Sequence, residues 1–286
     1  MMVLYQYYNA DLLNIPKHEG EDAEAYVDDV FMLALANDFQ SAHHKLADMM
    51  CREGGVENWT KTYSSPLEYS KLVLINFAHS HKNAGNPSLH LLRRTIQPFN
   101  STKYLGVYFN RNLNWKVQQA YTVEKGTKWA VQIRRLMRPT WGITPKYAKH
   151  LYMSVTLPRV LYVVDIWCTL TNVEYAGPKT VRSAGAIKKI TSTQRAGALA
   201  ITGGLHTSPT DALNASTFLL PALLMIKKWC IKAHIRMATL PTDHPLFKPV
   251  NWKRTCATKR HCGPLHTLAN LSSIDTKKME KIPTFS

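Results

Sequence analysis

The chain has 286 residues, with 36 Lys and Arg against 19 Asp and Glu, so its formal net charge is +17. This length suits one large domain or two small ones, and an apolar fraction of 45% with seven Trp argues against a disordered basic tail. Residues 1–117 carry 11 basic and 12 acidic side chains, whereas residues 118–286 carry 25 and 7. The second part is therefore expected to meet a polyanion, with nucleic acid as the first candidate and an anionic membrane surface as the second.

Cysteine content and hydropathy bear on the compartment. Five cysteines is a small, odd number for this length, which argues against a disulfide framework and favours a reducing environment. The apolar N-terminal run is too short for a signal sequence, so we expect an intracellular protein, in the cytoplasm or nucleus, that is not secreted. The longest apolar stretch, residues 151–170, contains Pro158, Arg159 and Asp165. Because charges inside a membrane helix are costly, this stretch predicts a buried, kinked helix and no membrane partner.

The first part of the chain predicts short helices and strands. Residues 25–35 place two acids between two β-prone halves, a pattern typical of a tight hairpin with the acids at its tip. The other elements predicted here are helices at 3–14 and 38–53, strands at 67–77 and 102–109, a loop at 78–87 and a turn at 110–114.

After Trp115 the apolar period becomes helical. Helices are predicted at 118–137, 145–170, 180–202 and 222–240. Pro145 suits a first helical turn, and Gly203-Gly204 is a C-cap signal. The sequence from Pro241 onward predicts a loosely ordered tail. The expected fold class is α+β, with a small mixed part followed by a mainly helical, basic part.

Asp28 and Asp29 are the strongest candidates for chemistry. Adjacent carboxylates repel each other unless a cation neutralises them, and Mg²⁺ prefers oxygen ligands, often one or two carboxylates plus substrate phosphates. In two-metal phosphoryl transfer such ions activate the attacking hydroxyl and stabilise the leaving oxygen. The alternative is a surface turn that carries two acids, and the flanking apolar runs favour the metal site over it.

In this order the segments resemble those of the reverse transcriptases of non-LTR (LINE-type) retrotransposons. Tyr26-Val27-Asp28-Asp29 looks like the family's palm hairpin, whose acids hold catalytic magnesium, and residues 4–13 look like the segment upstream of it. Lys71 sits where the family has a palm lysine, which implies a proton donor to the pyrophosphate leaving group. Residues 103–107 with 112–115 look like the hairpin that grips the primer near its 3′ end. The nucleic-acid contacts implied here are Tyr26, Lys103, Tyr104, Leu105 and Gly106.

Later motifs are similar to the helical region after the palm and to the stretch before an RNase H domain. These motifs are residues 194–199, 202–204, 207–213, 244–246 and 263–266. The resemblance implies a partial polymerase palm with the primer-side hairpin at 1–117, a basic thumb-like region at 118–220, and a connection helix with the tail at 221–286. Intact relatives extend a DNA primer along an RNA template, so the expected partners are these two strands or their hybrid duplex. No protein partner is indicated.

The resemblance also predicts what the chain lacks. The family's metal site needs a further Asp on an earlier palm strand, and its fingers hold the template and the incoming nucleotide. We expect a C-terminal palm, thumb and connection fragment without these parts, without the Ser-Pro turn, and without endonuclease or RNase H domains. Since losing one member of a catalytic unit costs orders of magnitude in rate, we expect weak Mg²⁺ binding and no polymerisation by this chain alone. The alternatives are a non-catalytic nucleic-acid-binding remnant and a decayed open reading frame.

Basic residues of the helical part are candidates for phosphate contact. Lys125, Lys128, Arg134, Arg135 and Arg138 fall on or near one predicted helix, and Lys188, Lys189 and Arg195 fall on another. The alternative is a solvated basic face with the interleaved aromatic residues in the core, where Trp129, Trp167 and Trp229 are expected in either case.

A Cys and His cluster near the end of the chain is a candidate zinc site. Its members are Cys256, His261, Cys262 and His266. These residue types suit tetrahedral zinc, but the adjacent His261 and Cys262 cannot easily both point inward. The sequence favours a polar linker over a zinc site.

Overall fold

The structure is a computed structural model that describes residues 4, 7–78, 85–91, 94–137, 142–168, 184–241, 244 and 280–281. The chain divides into two compact units, Met1–Val117 and Gln118–Ser286. This division falls where the charge balance changes along the sequence. The palm, thumb and connection identities of the parts, and the further boundary near residue 220, stay predictions.

In its described residues the first unit consists of antiparallel hairpins and short helices. The elements are β1 (Glu21–Tyr26), β2 (Asp29–Ala34), α1 (Phe39–Cys51), α2 (Val56–Thr62), β3 (Leu89–Leu91), β4 (Arg94–Ile96), β5 (Ser101–Tyr104) and β6 (Val107–Asn110). Short 3₁₀ turns cover Ala10–Asn14 and Tyr69–Lys71. Each strand pairs with its neighbour in sequence, which gives three two-stranded sheets, β1–β2, β3–β4 and β5–β6, in this part of the chain.

An apolar cluster of buried side chains packs helices and strands of the first unit against one another. It comprises Leu12, Ile15, Met49, Met50, Val56, Trp59, Leu74, Leu89 and Leu91. Helix α1 enters this cluster from a capped N-terminus, where the Asp38 carboxylate accepts a hydrogen bond from the Ser41 backbone N–H at 2.7 Å. Met32 and Ala34 of β2 pack against the cluster. The open end of the β1–β2 hairpin is therefore anchored, while its tip extends toward solvent.

In its described residues the second unit is helical. The elements are α3 (Lys116–Leu136, which begins two residues before the unit boundary), α4 (Pro145–Leu151), a π-helical turn (Tyr152–Thr156), α5 (Leu157–Val160), α6 (Val164–Trp167), α7 (Ala184–Thr202), α8 (Thr210–Thr217) and α9 (Ala222–Ala238). Its core contains the fully buried side chains of Ile133, Tyr152, Val164, Trp167 and Ile226. Among the described residues, no helix is both long and apolar enough to cross a membrane.

The kinked helix predicted at 145–170 is confirmed over its described residues. Its turns change from α to π at Tyr152 and are interrupted before Val164, where Val163 has a left-handed φ of 52°. Trp167 is buried as predicted, whereas Trp129 and Trp229 are only half-buried. The tail with its Cys and His cluster lies outside the described residues, apart from isolated positions that include His244.

Two predicted strands were wrong. Residues 67–77 do not form a strand, because the Lys71 N–H donates to the Glu68 carbonyl at 2.9 Å and closes a 3₁₀ turn. Residues 102–109 are not one strand but a hairpin, since Leu105 and Gly106 have φ of 46° and 83° and form a tight turn. Two positive φ values in succession are typical of the type I′ turns that join hairpin strands. Helices α2 and α8 and the β3–β4 hairpin were not predicted.

Candidate metal and nucleic-acid site

The two acids lie at the tip of the β1–β2 hairpin, as the sequence predicts. Tyr26 and Asp29 form the last strand pair, and Val27 and Asp28 form the two-residue turn between the strands. The side chains of Tyr26, Asp28 and Asp29 are all exposed. The hairpin thus presents two adjacent carboxylates to solvent from a turn that is only two residues long.

The turn itself is strained. Val27 has a φ of 58°, the left-handed region that a β-branched residue rarely adopts. Its carbonyl oxygen accepts a hydrogen bond from the Asn9 side-chain amide at 2.5 Å, and Asn9 is only 5% exposed. Strained backbone that is fixed by its surroundings clusters at functional sites. Asn9 therefore holds the turn that carries the acids, a contact that the sequence did not indicate.

A second hairpin packs beside the acids. The ring of Phe31 on β2 lies 5.5 Å from the ring of Tyr104 on β5. Burial raises the pKa of Tyr104, and the nearby negative charges of Glu24 and Asp29 raise it further. The structure therefore brings together Asp29 and Tyr104, which are 75 positions apart in the sequence.

The turn of this second hairpin carries the other predicted contacts. Lys103 and Leu105 are exposed, and Gly106 is half-buried. The main chain reverses direction at Leu105 and Gly106, so only these two residues join strands β5 and β6. An exposed cation and a tight backbone turn are compatible with contact to a nucleic-acid strand, as was predicted for these residues.

Lys71 is placed differently from the prediction. It lies in a 3₁₀ turn and forms an ion pair with Glu68, three residues earlier. This pairing raises the pKa of Lys71, and its side chain is 79% exposed. In the described part of the chain its carboxylate partner is Glu68, and no ion pair joins it to Asp28 or Asp29. A role as proton donor is not supported by any contact in this conformation.

No third ligand completes the acid pair within the described residues. The only group of three His, Cys, Asp or Glu ligands brought within 4.8 Å of one another there is His18, Glu21 and Asp48. The Arg52 guanidinium already pairs with two of them, at 2.7 Å from Glu21 and 3.0 Å from Asp48. Because Arg52 supplies the positive charge, this group is a structural ion-pair network. Asp28 and Asp29 lie outside this network and stay the metal ligands predicted from the sequence.

The basic residues predicted on α3 differ in their surroundings. Arg134 and Arg135 are exposed in the last turn, and Lys125 lies 5.0 Å from the Tyr121 ring centre. Lys128 forms an exposed ion pair with Glu124 at 2.6 Å. Arg138 lies outside the described residues.

The basic residues predicted on the second helix also differ from one another. Lys188 and Lys189 are exposed on α7. Arg195 donates to Thr210 Oγ1 at 2.9 Å and to the His206 carbonyl at 2.7 Å. Those bonds join α7 to the first residue of α8 and to the segment before it, so Arg195 has structural contacts that the sequence prediction missed.

Comparison with known proteins finds two relatives. One is a 115 kDa protein in the type-1 retrotransposable element R1DM of Drosophila melanogaster, 24% identical over 143 residues, which is 50% of this chain. The other is a retrovirus-related Pol polyprotein from the type-1 retrotransposable element R1 4 of Nasonia vitripennis, 32% identical over 99 residues, or 34% of this chain. The chain is similar to R1 retrotransposon proteins. It covers 14% of the first and 25% of the second, well under two thirds of either. No family model and no solved structure matches it.

Proposed function

We propose that this chain is the palm and thumb portion of an RNA-directed DNA polymerase from an R1-like, non-LTR retrotransposon. One observation carries most of the proposal. The hairpin that bears Asp28 and Asp29 packs, through Phe31, against the hairpin that bears Lys103 and Tyr104. A metal-binding acid pair beside a strand-gripping hairpin is what nucleotidyl transfer at a primer end requires. The similarity to an R1 Pol polyprotein supports the same assignment.

In this proposal each residue has a stated task. Asp28 and Asp29 hold Mg²⁺, which would supply Lewis-acid chemistry to a phosphoryl group. Asn9 fixes the Val27 carbonyl and with it the direction of the turn. Tyr104 fills the space between the hairpins, and Lys103 neutralises a strand phosphate. Because no third carboxylate joins the acids among the described residues, we expect weak metal binding and no polymerisation by this chain alone.

The metal site is tested with Mn²⁺ as a paramagnetic probe in amide NMR of the full chain. We expect broadening centred on residues 27–30, which the Asp28→Asn/Asp29→Asn variant removes. The Asp22→Asn/Glu24→Gln variant is a matched control, since it removes the same charge from the same hairpin but away from the tip. Broadening that is unchanged in the Asp28 and Asp29 variant, or that is centred on His18 and Asp48, would contradict the assignment.

A second function, nucleic-acid binding without catalysis, is favoured by the cations of α3, where Arg134 and Arg135 are exposed and Lys125 is half-buried. Neutralised phosphates release counterions, so the logarithm of the binding constant falls with the logarithm of salt concentration by about 0.9 per duplex contact. We expect the Lys125→Gln/Arg134→Gln/Arg135→Gln variant to reduce this slope by about 2 to 3 for an RNA–DNA hybrid. Fluorescence anisotropy across a KCl series measures it. An unchanged slope would reject phosphate contact by α3.

A further inference from the structure

Helix α9 carries a second concentration of positive charge. Its 17 residues include four basic side chains, Lys227, Lys228, Lys232 and Arg236, and no acid. All four are exposed, whereas Ile226, Cys230, Ala233 and His234 on the other side of the helix are buried. The helix therefore has one face in the core of the second unit and one exposed face that is basic beyond its first turn, where Leu223 and Leu224 are exposed.

Three of these cations form a row. Lys228, Lys232 and Arg236 are spaced four residues apart, so they share one face with a rise of about 6 Å between neighbours. Like charges at this spacing destabilise a helix by a few tenths of a kcal/mol per pair. Among the described residues, no carboxylate lies within the 4.0 Å of an ion pair to any of the three. The row thus carries a small energetic cost that a bound polyanion would remove.

We propose that the row Lys228, Lys232 and Arg236 binds the sugar-phosphate backbone of a nucleic acid, as a contact surface separate from the acid hairpin and from α3. A nucleic-acid strand offers a regular line of phosphates to a regular line of cations. This inference depends on the proposed function for one point only, namely that the bound polyanion is a nucleic acid.

The structure argues for nucleic acid over a membrane surface. An interfacial helix binds a membrane by burying its apolar face among the lipid headgroups. In α9 that face already packs in the protein core, through Ile226, Cys230 and Ala233. Its exposed apolar side chains are Leu223 and Leu224 in the first turn, so beyond that turn the helix offers charge and not an apolar face to insert.

The experiment uses the full chain and a labelled RNA–DNA hybrid, with anisotropy measured across a KCl series. We expect the Lys228→Gln/Lys232→Gln/Arg236→Gln variant to reduce the salt slope by about 2 to 3. The Lys17→Gln/Lys61→Gln/Lys146→Gln variant removes the same charge from exposed lysines elsewhere and is expected to change the slope by less than about 1. Circular dichroism checks that both variants stay folded. We expect them to do so, because glutamine is a good helix former.

The outcomes separate this inference from the proposed function. If the α9 variant behaves like its control while the α3 variant loses binding, the row is not a contact surface and the proposed function stands. If neither variant alters binding to the hybrid, both assignments fail. If the α9 variant loses binding to phosphatidylserine vesicles but keeps the hybrid slope, the row is a membrane contact and the inference is overturned.

Discussion

Replacing Arg52 with methionine is expected to lower the free energy of unfolding of the first unit by about 3–5 kcal/mol, the cost of leaving a buried charge without its partner. The Glu21 side chain is 1% exposed and that of Arg52 is 11% exposed, with 2.7 Å between Arg52 Nη2 and Glu21 Oε2. Arg52 also donates to the carbonyl of Ile15, so one side chain joins α1 to the strand β1 and to the segment before it. Methionine keeps an unbranched, though shorter, side chain and removes every one of these bonds.

The same network makes stability depend on pH. Burial alone would raise the pKa of Glu21, but hydrogen bonds from Arg52 and from the Lys17 and His18 backbone N–H groups outweigh it and lower the pKa from 4.5 to about 2. A lowered pKa means that the folded state holds the proton less tightly than the unfolded state. The stabilisation is therefore fully present above about pH 4.5 and is lost as pH falls toward 2. In the Arg52→Met variant burial is no longer opposed by Arg52, and acidification is expected to recover part of the lost stability.

Hydrogen exchange of the β1–β2 amides in the full chain measures this loss. The double variant Glu21→Gln/Arg52→Met is expected to be more stable than Arg52→Met, because it removes the unpaired charge as well. Lys71→Met is the matched control: it breaks the exposed pair with Glu68 and is expected to cost less than about 1 kcal/mol. Equal costs for Arg52→Met and Lys71→Met would show that the Arg52 network contributes no more than a surface pair.

The local sequence pattern predicted the secondary structure correctly where contacts between neighbouring residues determine it. The acid hairpin was predicted because β-prone residues flank Asp28 and Asp29, and the structure confirms it. The turn at Leu105 and Gly106 had a signal in the sequence, a glycine inside a strand pattern, which indicates a bend or turn. The strand predicted through Lys71 was wrong because local bonds to Glu68 competed with it: the Ser70 hydroxyl and the Lys71 backbone N–H both donate to that residue.

Long-range partners could not be predicted from the sequence. Glu21 and Arg52 are 31 residues apart, and nothing in either segment identifies the other as its partner. The approach of Tyr104 to Asp29 likewise depends on the packing of two hairpins. The resemblance to a reverse transcriptase implied an acid hairpin and a primer-side hairpin, and the contact between Phe31 and Tyr104 is seen only in the structure.

Gly197→Ala is expected to destabilise the second unit by about 1–2 kcal/mol, against the usual trend. Alanine in place of glycine inside a helix normally stabilises by about 1 kcal/mol. Here a Cβ on α7 would lie 3.0 Å from Cδ2 and 3.1 Å from Cζ of Tyr152, and closer still to Cε2. Tyr152 is 2% exposed in the π-helical turn, and a buried ring cannot move aside as the end of a flexible side chain can. The destabilisation from the clash with the Tyr152 ring is therefore expected to exceed the stabilisation from the higher helix propensity of alanine.

Gly185→Ala is the matched control in the same helix. Among the described residues no atom lies within 4 Å of a Cβ at Gly185, so this substitution is expected to stabilise by a few tenths to about 1 kcal/mol. Urea unfolding of the two variants should give changes of opposite sign. If Gly197→Ala is also stabilising, then the Tyr152 ring is free to shift, and the close contact of α7 with the π-helical turn does not fix the position of α7. That contact bears on the proposed nucleic-acid binding, because α7 carries the exposed Lys188 and Lys189, which the sequence predicts to contact phosphates.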